Sequence, residues 1–403
     1  MNLLRVFPRP VLLGAAAFMG LMVVGCVPVR LEASWPALSV VPETGDVLLT
    51  YHDRVVMIEP ETGELARLRN VDGEVRLDEN GNPRVWEFTG DDGQPHQFYS
   101  APVQLDDETL LIAGYDSRRI YEVDLPTARV VGSADPQLPG QVIADLVQND
   151  DALYVGISER NLVSLDSSSL QQNWLFETEH GVWTEPLIVD NVLYLTALDH
   201  FLYAIDSQTG EEIWRLDLQG AAPGTPVLHE DHLYIGSFGR KLYDISLDGE
   251  ILAEYDTAEW VWGAPVIYDG VLYAADLGGN VYALDVSDGG FSERWRVKVA
   301  GRGIRPSPVV TEDYVIVGSR DQKVYWLGRA NGRVVEDEGT VESVQNLRIR
   351  ELAGEIYSDM LLLEPGDGID IPEPYLLVSS VANPELLVAF RVSNGERLWS
   401  YGR

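Results

Sequence analysis

Short runs in which apolar and polar residues alternate recur along most of the chain. Residues 184–218 contain four of them in succession, TEPLIV, NVLYLTA, FLYAID and EEIWRLDL. Each run predicts a short β-strand, because successive side chains of a strand point to opposite faces of a sheet. The third and fourth runs are joined by Asp-Ser-Gln-Thr-Gly, a turn in which Gly takes positive φ and Asp bonds its own backbone. The segment therefore predicts a four-stranded antiparallel sheet.

The same unit recurs. Further copies begin at Gly224, Gly263 and Pro306, and their marker prolines Pro186, Pro226, Pro265 and Pro308 are 40, 39 and 43 residues apart. Looser copies begin at Ser100 and Ile143, and divergent copies begin at Leu38 and Asp359. Units of about 40 residues, each with four strands, are typical of β-propeller blades.

We therefore predict an all-β fold, an eight-bladed β-propeller over residues 36–403, with seven blades as the alternative because the end units are degenerate. A row of hairpins in a sandwich would not repeat one turn and one aromatic at one place. Two stretches interrupt the repeat, 70–98 and 338–356. The first predicts an extra hairpin turning at Asn80-Gly81, and the second is partly helix-like and lies between the seventh and eighth units. Both are either partner contacts or surface decoration.

The pattern x-Tyr-Ala-(Ile/Leu)-Asp-x-x-(Thr/Asp)-Gly-x-x-x-Trp at 202–214, and with two extra residues near 281–295, resembles the pyrroloquinoline-quinone-type propeller repeat. In that family, tryptophans of the fourth strand pack against the neighbouring blade. The matching residues here are Trp174, Trp214, Trp295 and Trp399, with Tyr255 at the equivalent place in its unit. Units one, two, five and seven lack this tryptophan, so the resemblance implies weaker docking of those blades.

The superfamily so identified has two branches. One contains larger quinone-dependent dehydrogenases with the cofactor in the funnel, a calcium ion, an aspartate base and commonly a pair of adjacent cysteines. The other contains non-catalytic lipoproteins of about this length, including an eight-bladed member of the outer-membrane barrel-assembly machinery. This chain has one cysteine, so the resemblance implies the second branch, without enzymatic activity or cofactor. An analogy at the level of the fold does not by itself establish function.

The N-terminus predicts export. Arg5 and Arg9 precede the apolar run VLLGAAAFMGLMVV, which is shorter than the ~20 residues of a membrane span. The run leads to Val23-Val24-Gly25-Cys26, which resembles the lipobox of bacterial lipoproteins. We predict a signal peptide over residues 1–25, lipidation at Cys26 and a tether over 26–35. An uncleaved signal anchor is the alternative. Lipid anchoring would hold the protein at the cell membrane, on the periplasmic face of the outer membrane in a Gram-negative source.

Charge narrows the classes of partner. The chain has 64 acidic and 29 basic residues and a formal charge of −35. Such a surplus repels nucleic-acid phosphates and favours a soluble monomer, so we expect no nucleic-acid partner. The expected partners are the membrane, through the lipid anchor, and envelope proteins, including a barrel-assembly subunit as the resemblance implies.

Catalytic motifs are absent from the sequence, with no GxSxG, HExxH or Gly-rich phosphate loop. His229-Glu-Asp-His232 could hold a divalent metal but lies in a predicted tight turn, where exposed polar residues are ordinary, so we expect no metal site. DENGNP at 78–83 places Gly at the fourth position, where a calcium loop of the EF-hand type needs it at the sixth.

One face carries a candidate binding surface. Loops between second and third strands, and connectors from fourth to first strands, gather on one face of a propeller. They hold Arg54, Arg118, Arg119, Arg160, Arg240, Lys241, Arg302, Arg305, Arg320 and Lys323, together with Trp183, Trp260 and Trp262. Arginine beside aromatic residues is common in protein-binding hot spots. The alternative is that these cations pair with the nearby acids Asp53, Asp116, Glu159 and Asp321. A glycan-binding surface also stays open.

Overall fold

Thirty-two strands form eight four-stranded antiparallel sheets in the residues that the structure, a computed structural model, describes. These are residues 35–69, 74–90, 96–134, 137–287, 289–337, 347–366 and 369–402. All of them belong to one unit, Ser34–Arg403. The predicted signal peptide, Cys26 and the tether up to residue 34 lie outside the described residues.

Each blade consists of four consecutive strands, paired in chain order. Blade 1 contains β1 (Ala37–Val40), β2 (Val47–Tyr51), β3 (Arg54–Ile58) and β4 (Glu87–Phe88); blade 2 contains β5 (Val103–Asp106), β6 (Thr109–Gly114), β7 (Arg119–Asp124) and β8 (Arg129–Ser133). Blade 3 contains β9 (Val147–Asn149), β10 (Ala152–Gly156), β11 (Leu162–Asp166) and β12 (Gln172–Phe176); blade 4 contains β13 (Leu187–Val189), β14 (Val192–Thr196), β15 (Phe201–Asp206) and β16 (Glu212–Asp217).

The second half of the ring repeats this pattern. Blade 5 contains β17 (Val227–His229), β18 (His232–Ser237), β19 (Lys241–Ser246) and β20 (Ile251–Asp256); blade 6 contains β21 (Val266–Tyr268), β22 (Val271–Ala275), β23 (Asn280–Asp285) and β24 (Ser292–Lys298). Blade 7 contains β25 (Val309–Val310), β26 (Tyr314–Gly318), β27 (Lys323–Gly328) and β28 (Ile349–Glu351); blade 8 contains β29 (Leu361–Leu363), β30 (Tyr375–Ser379), β31 (Leu387–Arg391) and β32 (Arg397–Tyr401).

The blades form a closed ring. First strands of neighbouring blades lie side by side, as β17 does with β21 and β21 with β25, so they line the central axis. Blade 8 packs on blade 1, where Leu377 and Ala389 share an apolar cluster with Val47 and Leu49. The predicted eight-bladed propeller is confirmed, and the seven-bladed alternative is wrong. Closure removes the exposed edges that an open stack of sheets would leave.

Indole N–H groups join blades at six junctions. Each indole N–H donates a hydrogen bond to a backbone carbonyl oxygen of the next blade. That carbonyl lies at the start of the turn between the third and fourth strands. The pairs are Trp86 with Leu125, Trp174 with Ser207, Trp214 with Leu247, Trp295 with Arg329, Trp326 with Val392 and Trp399 with Pro60. Because buried Trp N–H groups need an acceptor, one recurring carbonyl sets one docking geometry around the ring.

Trp86 and Trp326 stand outside the predicted pattern. Trp86 immediately precedes β4, and Trp326 lies on the third strand of blade 7, so neither occupies the fourth-strand place in the repeat. Both are almost fully buried. Units one and seven were expected to lack an indole at this junction; in the structure another residue of the same blade supplies it.

The two remaining junctions use other contacts. Between blades 2 and 3, Leu170 adopts φ +54° in the turn and is buried in the same apolar cluster as Leu111. Between blades 5 and 6, the ring centres of Tyr255 and Phe291 are 6.2 Å apart, and the backbone N–H of Gly290 donates to the Asp244 carboxylate at 3.1 Å.

Both predicted insertions interrupt a fourth strand. In blade 1, Leu65 pairs with Ile58, and the chain then runs through a hairpin turning at residues 78–82 before β4 returns to the sheet. In blade 7, Val334 pairs with Leu327, and β28 returns to pair with Tyr325. The predicted insertions are therefore wrong where they include Glu87–Phe88 and Ile349–Glu351, because these strands complete blades 1 and 7. Residues 338–346 lie outside the described part of the chain.

Helical structure is limited to the 3-10 turn Asn383–Glu385 in the described ranges. Over those same ranges, we find no helix that combines the length and the apolar character needed to cross a membrane.

Candidate functional site

Acidic side chains tie the loops of one face to the connectors beside them. Asp199, Asp276 and Asp321, each in a loop between second and third strands, accept the backbone N–H of Glu179, Glu259 and Gly301. Each also accepts a tyrosine hydroxyl of its own blade, from Tyr203, Tyr282 and Tyr325. Burial, followed by the carboxylate beside each hydroxyl, raises the pKa of these tyrosines. We call the surface built by these loops and connectors the funnel face.

Four of the ten tryptophans lie on the funnel face, and the other six dock blades. The four are Trp35, Trp183, Trp260 and Trp262. Trp183 contacts Trp35 and Trp262, with ring centres 5.9 and 6.3 Å apart. Phe238 stacks on Trp260 at 4.9 Å and contacts Trp262 at 5.3 Å. The aromatic patch therefore runs from the axis to the rim, where Trp260 is 45% exposed.

Arg305 lies within this patch and not on its exposed rim. Its guanidinium carbon is 3.8 Å from the centre of the Trp35 ring, 4.0 Å from that of Trp262 and 5.5 Å from that of Tyr357. Burial lowers the pKa of Arg305 to about 10, so it stays a cation at neutral pH. Cation–π contacts hold the charge where water is scarce.

The other predicted face cations divide into two groups. Paired with acids are Arg54 with Asp53, Arg240 with Glu259, Lys241 with Glu254, and Arg302 and Arg320 with Glu355. By contrast, Arg118, Arg119, Arg160 and Lys323 form no ion pair with any described residue; Arg118 donates to the Gln137 side chain at 3.4 Å.

The expected acid partners are mostly used elsewhere. Asp53 pairs with Arg54, but Asp116 accepts the backbone N–H of Gln97 and Glu159 accepts that of Gln141. Asp321 accepts hydrogen bonds from the backbone N–H of Gly301 and the hydroxyl of Tyr325. The predicted ion pairs with face arginines or lysines are therefore not formed by Asp116, Glu159 or Asp321, whose oxygens accept backbone N–H groups of the connectors.

An axial cavity of about 210 Å³ opens at the centre of the funnel face. Its mouth is lined by Trp35, Tyr99, Trp183, Trp262, Arg305 and Tyr357. The wall is lined by three acids on three different connectors, Asp145, Glu185 and Asp359. Glu185 and Asp359 lie two residues after Trp183 and Tyr357, and Asp145 holds the equivalent place in its own connector. The sequence pattern did not reveal these carboxylates. They occupy the position just before that of the marker proline, and only blades 3, 4 and 8 have an acid there.

The surroundings of the three carboxylates raise their pKa values. Asp145 and Asp359 are exposed to the cavity and Glu185 is half-buried, so the surrounding protein limits their hydration only in part. Desolvation raises the pKa of Asp145 to about 6, and desolvation with the nearby charges of Asp145 and Asp359 raises that of Glu185 to about 7. Desolvation also raises the pKa of Asp359, which accepts the backbone N–H of Ser307 and lies near Arg305.

The candidate metal-binding histidines are engaged otherwise. His229 and His232 are paired across β17 and β18, and His232 Nδ1 is 2.7 Å from Oδ1 of buried Asp244. Among the described residues, no group of three His, Cys, Asp or Glu side chains is placed to hold a metal ion. In DENGNP, Asp78 accepts the backbone N–H groups of Asn80 and Asn82, which closes the hairpin turn.

Comparison with known proteins supports the repeat assignment. A family model described as outer membrane protein assembly factor BamB matches residues 198–402, half of the chain. The crystal structure of BamB from Moraxella catarrhalis superposes with a TM-score of 0.62 at 16% identity, covering 87% of this chain and 92% of that one. The computationally designed Ika8 protein superposes with a TM-score of 0.61 at 14% identity, covering 87% and 94%.

At these identities the structural likeness establishes the fold alone, and no curated protein sequence matches the chain. The family match is independent of that likeness and covers the second half of blade 4 and blades 5 to 8. The resemblance to the pyrroloquinoline-quinone-type repeat is thereby confirmed, and the chain belongs to the family of the outer membrane protein assembly factor BamB.

Proposed function

We propose that this protein is a non-catalytic, lipid-anchored scaffold of the cell envelope whose funnel face binds another protein of the outer-membrane assembly pathway. One observation carries the choice of face: every tryptophan that does not dock blades lies there. Exposed aromatic patches often mark protein-binding sites, and tryptophan and arginine are enriched among the residues that contribute most to binding. Trp260 and Phe238 supply the aromatic part at blades 5 and 6, and Arg118 and Arg160 supply unpaired charge in the loops of blades 2 and 3 on the same face.

Membership of the BamB family supports the assembly role, and the lipobox-like sequence before Cys26 supports anchoring. Mass spectrometry of the mature N-terminal peptide tests the anchor. A diacylglyceryl-modified Cys26 at the new N-terminus is the expected result. A peptide that begins upstream of Cys26 with an unmodified thiol would remove the anchor from the proposal.

A quinone-dependent dehydrogenase is the competing function, and the axial cavity does not fit its cofactor. Pyrroloquinoline quinone carries three carboxylates, whereas the cavity wall presents Asp145, Glu185 and Asp359 against the single caged cation Arg305. Like charges brought together in one cavity repel each other, even where water partly screens them. The charge of the cavity thus disfavours this anion.

Cross-linking in intact cells tests the face. A photoreactive amino acid at position 238 or 260 should capture a partner protein that mass spectrometry identifies, and the same group at Arg333, on the outer edge of blade 7, should not. Charge reversal gives a second measure: Arg118→Glu with Arg160→Glu should reduce partner recovery, while the matched pair Arg215→Glu with Arg333→Glu should leave it unchanged. Equal recovery with both pairs would show that the funnel face is not the binding surface.

A further inference from the structure

The axial cavity combines two features that do not depend on the scaffold role. Its mouth is an aromatic cage, and its wall carries more negative than positive charge. Asp145, Glu185 and Asp359 face one cation, Arg305, and Arg305 is near Asp359 alone of the three. Asp145 and Asp359 are exposed to the cavity and Glu185 is half-buried, so water hydrates the three carboxylates only in part and a cationic partner in the cavity would stabilise them.

Glu185 and Asp145 lack a cationic partner among the described residues. Asp145 accepts one backbone N–H, from Ala101 at 2.6 Å. Glu185 accepts no hydrogen bond from the described protein, and the charges closest to it are the carboxylates of Asp145 and Asp359. Each carboxylate has room for several donors. The wall therefore has free acceptor capacity directed into a cavity of about 210 Å³.

The aromatic mouth gives separate evidence for the sign of the ligand through the two rings that the Arg305 guanidinium does not contact, Trp183 and Tyr99. Indole and phenol rings attract cations through their negative faces, and aromatic cages of this kind recognise ammonium groups. In this protein the cage already holds one cation, the Arg305 guanidinium, between Trp35 and Trp262. Trp183 and Tyr99 flank Trp35 at 5.9 and 6.5 Å and extend the aromatic wall around the mouth.

We propose that the axial cavity binds an organic cation, a primary ammonium or guanidinium group, between the aromatic mouth and the carboxylates Asp145 and Glu185. A metal ion is a poorer match, because no three acidic or histidine side chains of the described residues are grouped to hold one. An elongated amine can span carboxylates that are too far apart to share an ion. The same chemistry is found in free polyamines and in lysine side chains of peptides. The proposal does not rest on the scaffold function.

Binding can be measured on the purified full-length protein in detergent at about 0.15 M salt, where long-range attraction to the acidic surface is screened. The two probes are spermidine and the capped peptide acetyl-Gly-Lys-Gly-amide. Isothermal titration should show one site for at least one of them. Tryptophan fluorescence should change with the same midpoint, because Trp35, Trp183 and Trp262 line the mouth. Preference between the probes distinguishes a free polyamine from a peptide side chain.

The discriminating variant is Asp145→Asn with Glu185→Gln. It should weaken binding about tenfold or more, because it removes both carboxylates that would pair with the ammonium or guanidinium group in the cavity. Its matched control is Glu211→Gln with Asp248→Asn, which removes the same charge from exposed turns on the opposite face. That control should bind like the wild type. If the first pair fails to fold, Trp262→Phe and Trp183→Phe test the cage and should weaken binding as well.

Three results would overturn the proposal. The first is no saturable binding of either probe. The second is equal weakening in the cavity pair and its control, which would assign binding to general surface charge. The third is wild-type affinity in both the carboxylate pair and the cage variants.

Discussion

Gly210 in the turn of blade 4 lies against the indole face of Trp174 in blade 3. A Cβ at Gly210 would be 2.6 Å from the Cδ2 atom of that indole, and the glycine has φ +72°. The same contact recurs between Gly249 and Trp214, Gly332 and Trp295, and Gly63 and Trp399. Where blade 2 lacks the tryptophan, Leu170 occupies the equivalent turn position. The turn residue of one blade is therefore matched to the fourth strand of the blade before it.

Replacing this glycine should loosen the junction. We expect Gly210→Ala to lower the free energy of unfolding by about 2 to 4 kcal/mol, because it adds overlap with the indole to the backbone strain. Gly289→Ala is the control, since Gly289 has φ +75° with no atom within 4 Å of the added Cβ. It should cost about 1 kcal/mol, from strain alone. Urea unfolding measures both, and equal losses would show that the indole contact is not restrictive.

Trp399 closes the ring. Its indole N–H donates to the carbonyl oxygen of Pro60 at 2.8 Å, which joins the last blade to the first. We expect Trp399→Ala to cost about 3 kcal/mol and Trp399→Phe, which removes the donor but keeps an aromatic ring, about 1 kcal/mol. Trp260→Ala on the funnel face should cost less than about 1 kcal/mol, as Trp260 is 45% exposed. A loss at Trp260 as large as that at Trp399 would contradict the assignment of these two tryptophans to separate roles.

The axial carboxylates should make stability depend on pH. Glu185 has its pKa raised to about 7 by desolvation and by Asp145 and Asp359, and the other charged group lining the cavity is Arg305. The folded chain thus binds this proton more tightly than the unfolded chain. The resulting stabilisation is complete below the ordinary carboxylate pKa near 4 and is lost as pH rises through 7.

Glu185→Gln mimics the protonated form, so it should match the wild type near pH 4. It should be more stable by about 1 to 2 kcal/mol at pH 8, after allowance for screening by water in the cavity. Urea unfolding at several pH values gives this difference. A difference that does not change between pH 4 and pH 8 would show that Glu185 titrates normally.

Asp276 should hold the connector that carries Trp260 and Trp262. Its carboxylate accepts the N–H of Glu259 at 3.0 Å and the hydroxyl of Tyr282 at 2.6 Å, and the side chain is fully buried. Asp276→Asn replaces one acceptor with a donor and should cost about 2 kcal/mol. Hydrogen exchange of residues 257–265 should accelerate in this variant. The exposed-turn variant Asp248→Asn should leave their exchange rates unchanged, and the same protection in all three proteins would refute the role of Asp276.

The repeat itself could be predicted from local patterns. Alternating strands, the Asp-x-x-(Thr/Asp)-Gly turn and the fourth-strand tryptophans such as Trp214 are properties of short segments, since strand period and turn chemistry act over a few residues. They predicted the β class, the blade and eight units, while the degenerate end units left seven blades as an alternative that only ring closure removed. The docking roles of Trp86 and Trp326 could not be predicted, because they depend on a blade edge formed by residues distant in the sequence. The strand β28 could not be predicted either, because an insertion separates it from the first part of the same fourth strand.

The sequence by itself thus determined the repeating blade and its main docking residues. Only the tertiary structure decided what meets at the axis. Trp35 and Arg305 are 270 residues apart in the chain, and Asp145, Glu185 and Asp359 come from three different blades. Closure of the ring brings one connector residue from each blade to a common centre. The cage, the unbalanced charge and the raised pKa values follow from that convergence, because hydration and electrostatic neighbours are set by packing across the ring and not by adjacent residues.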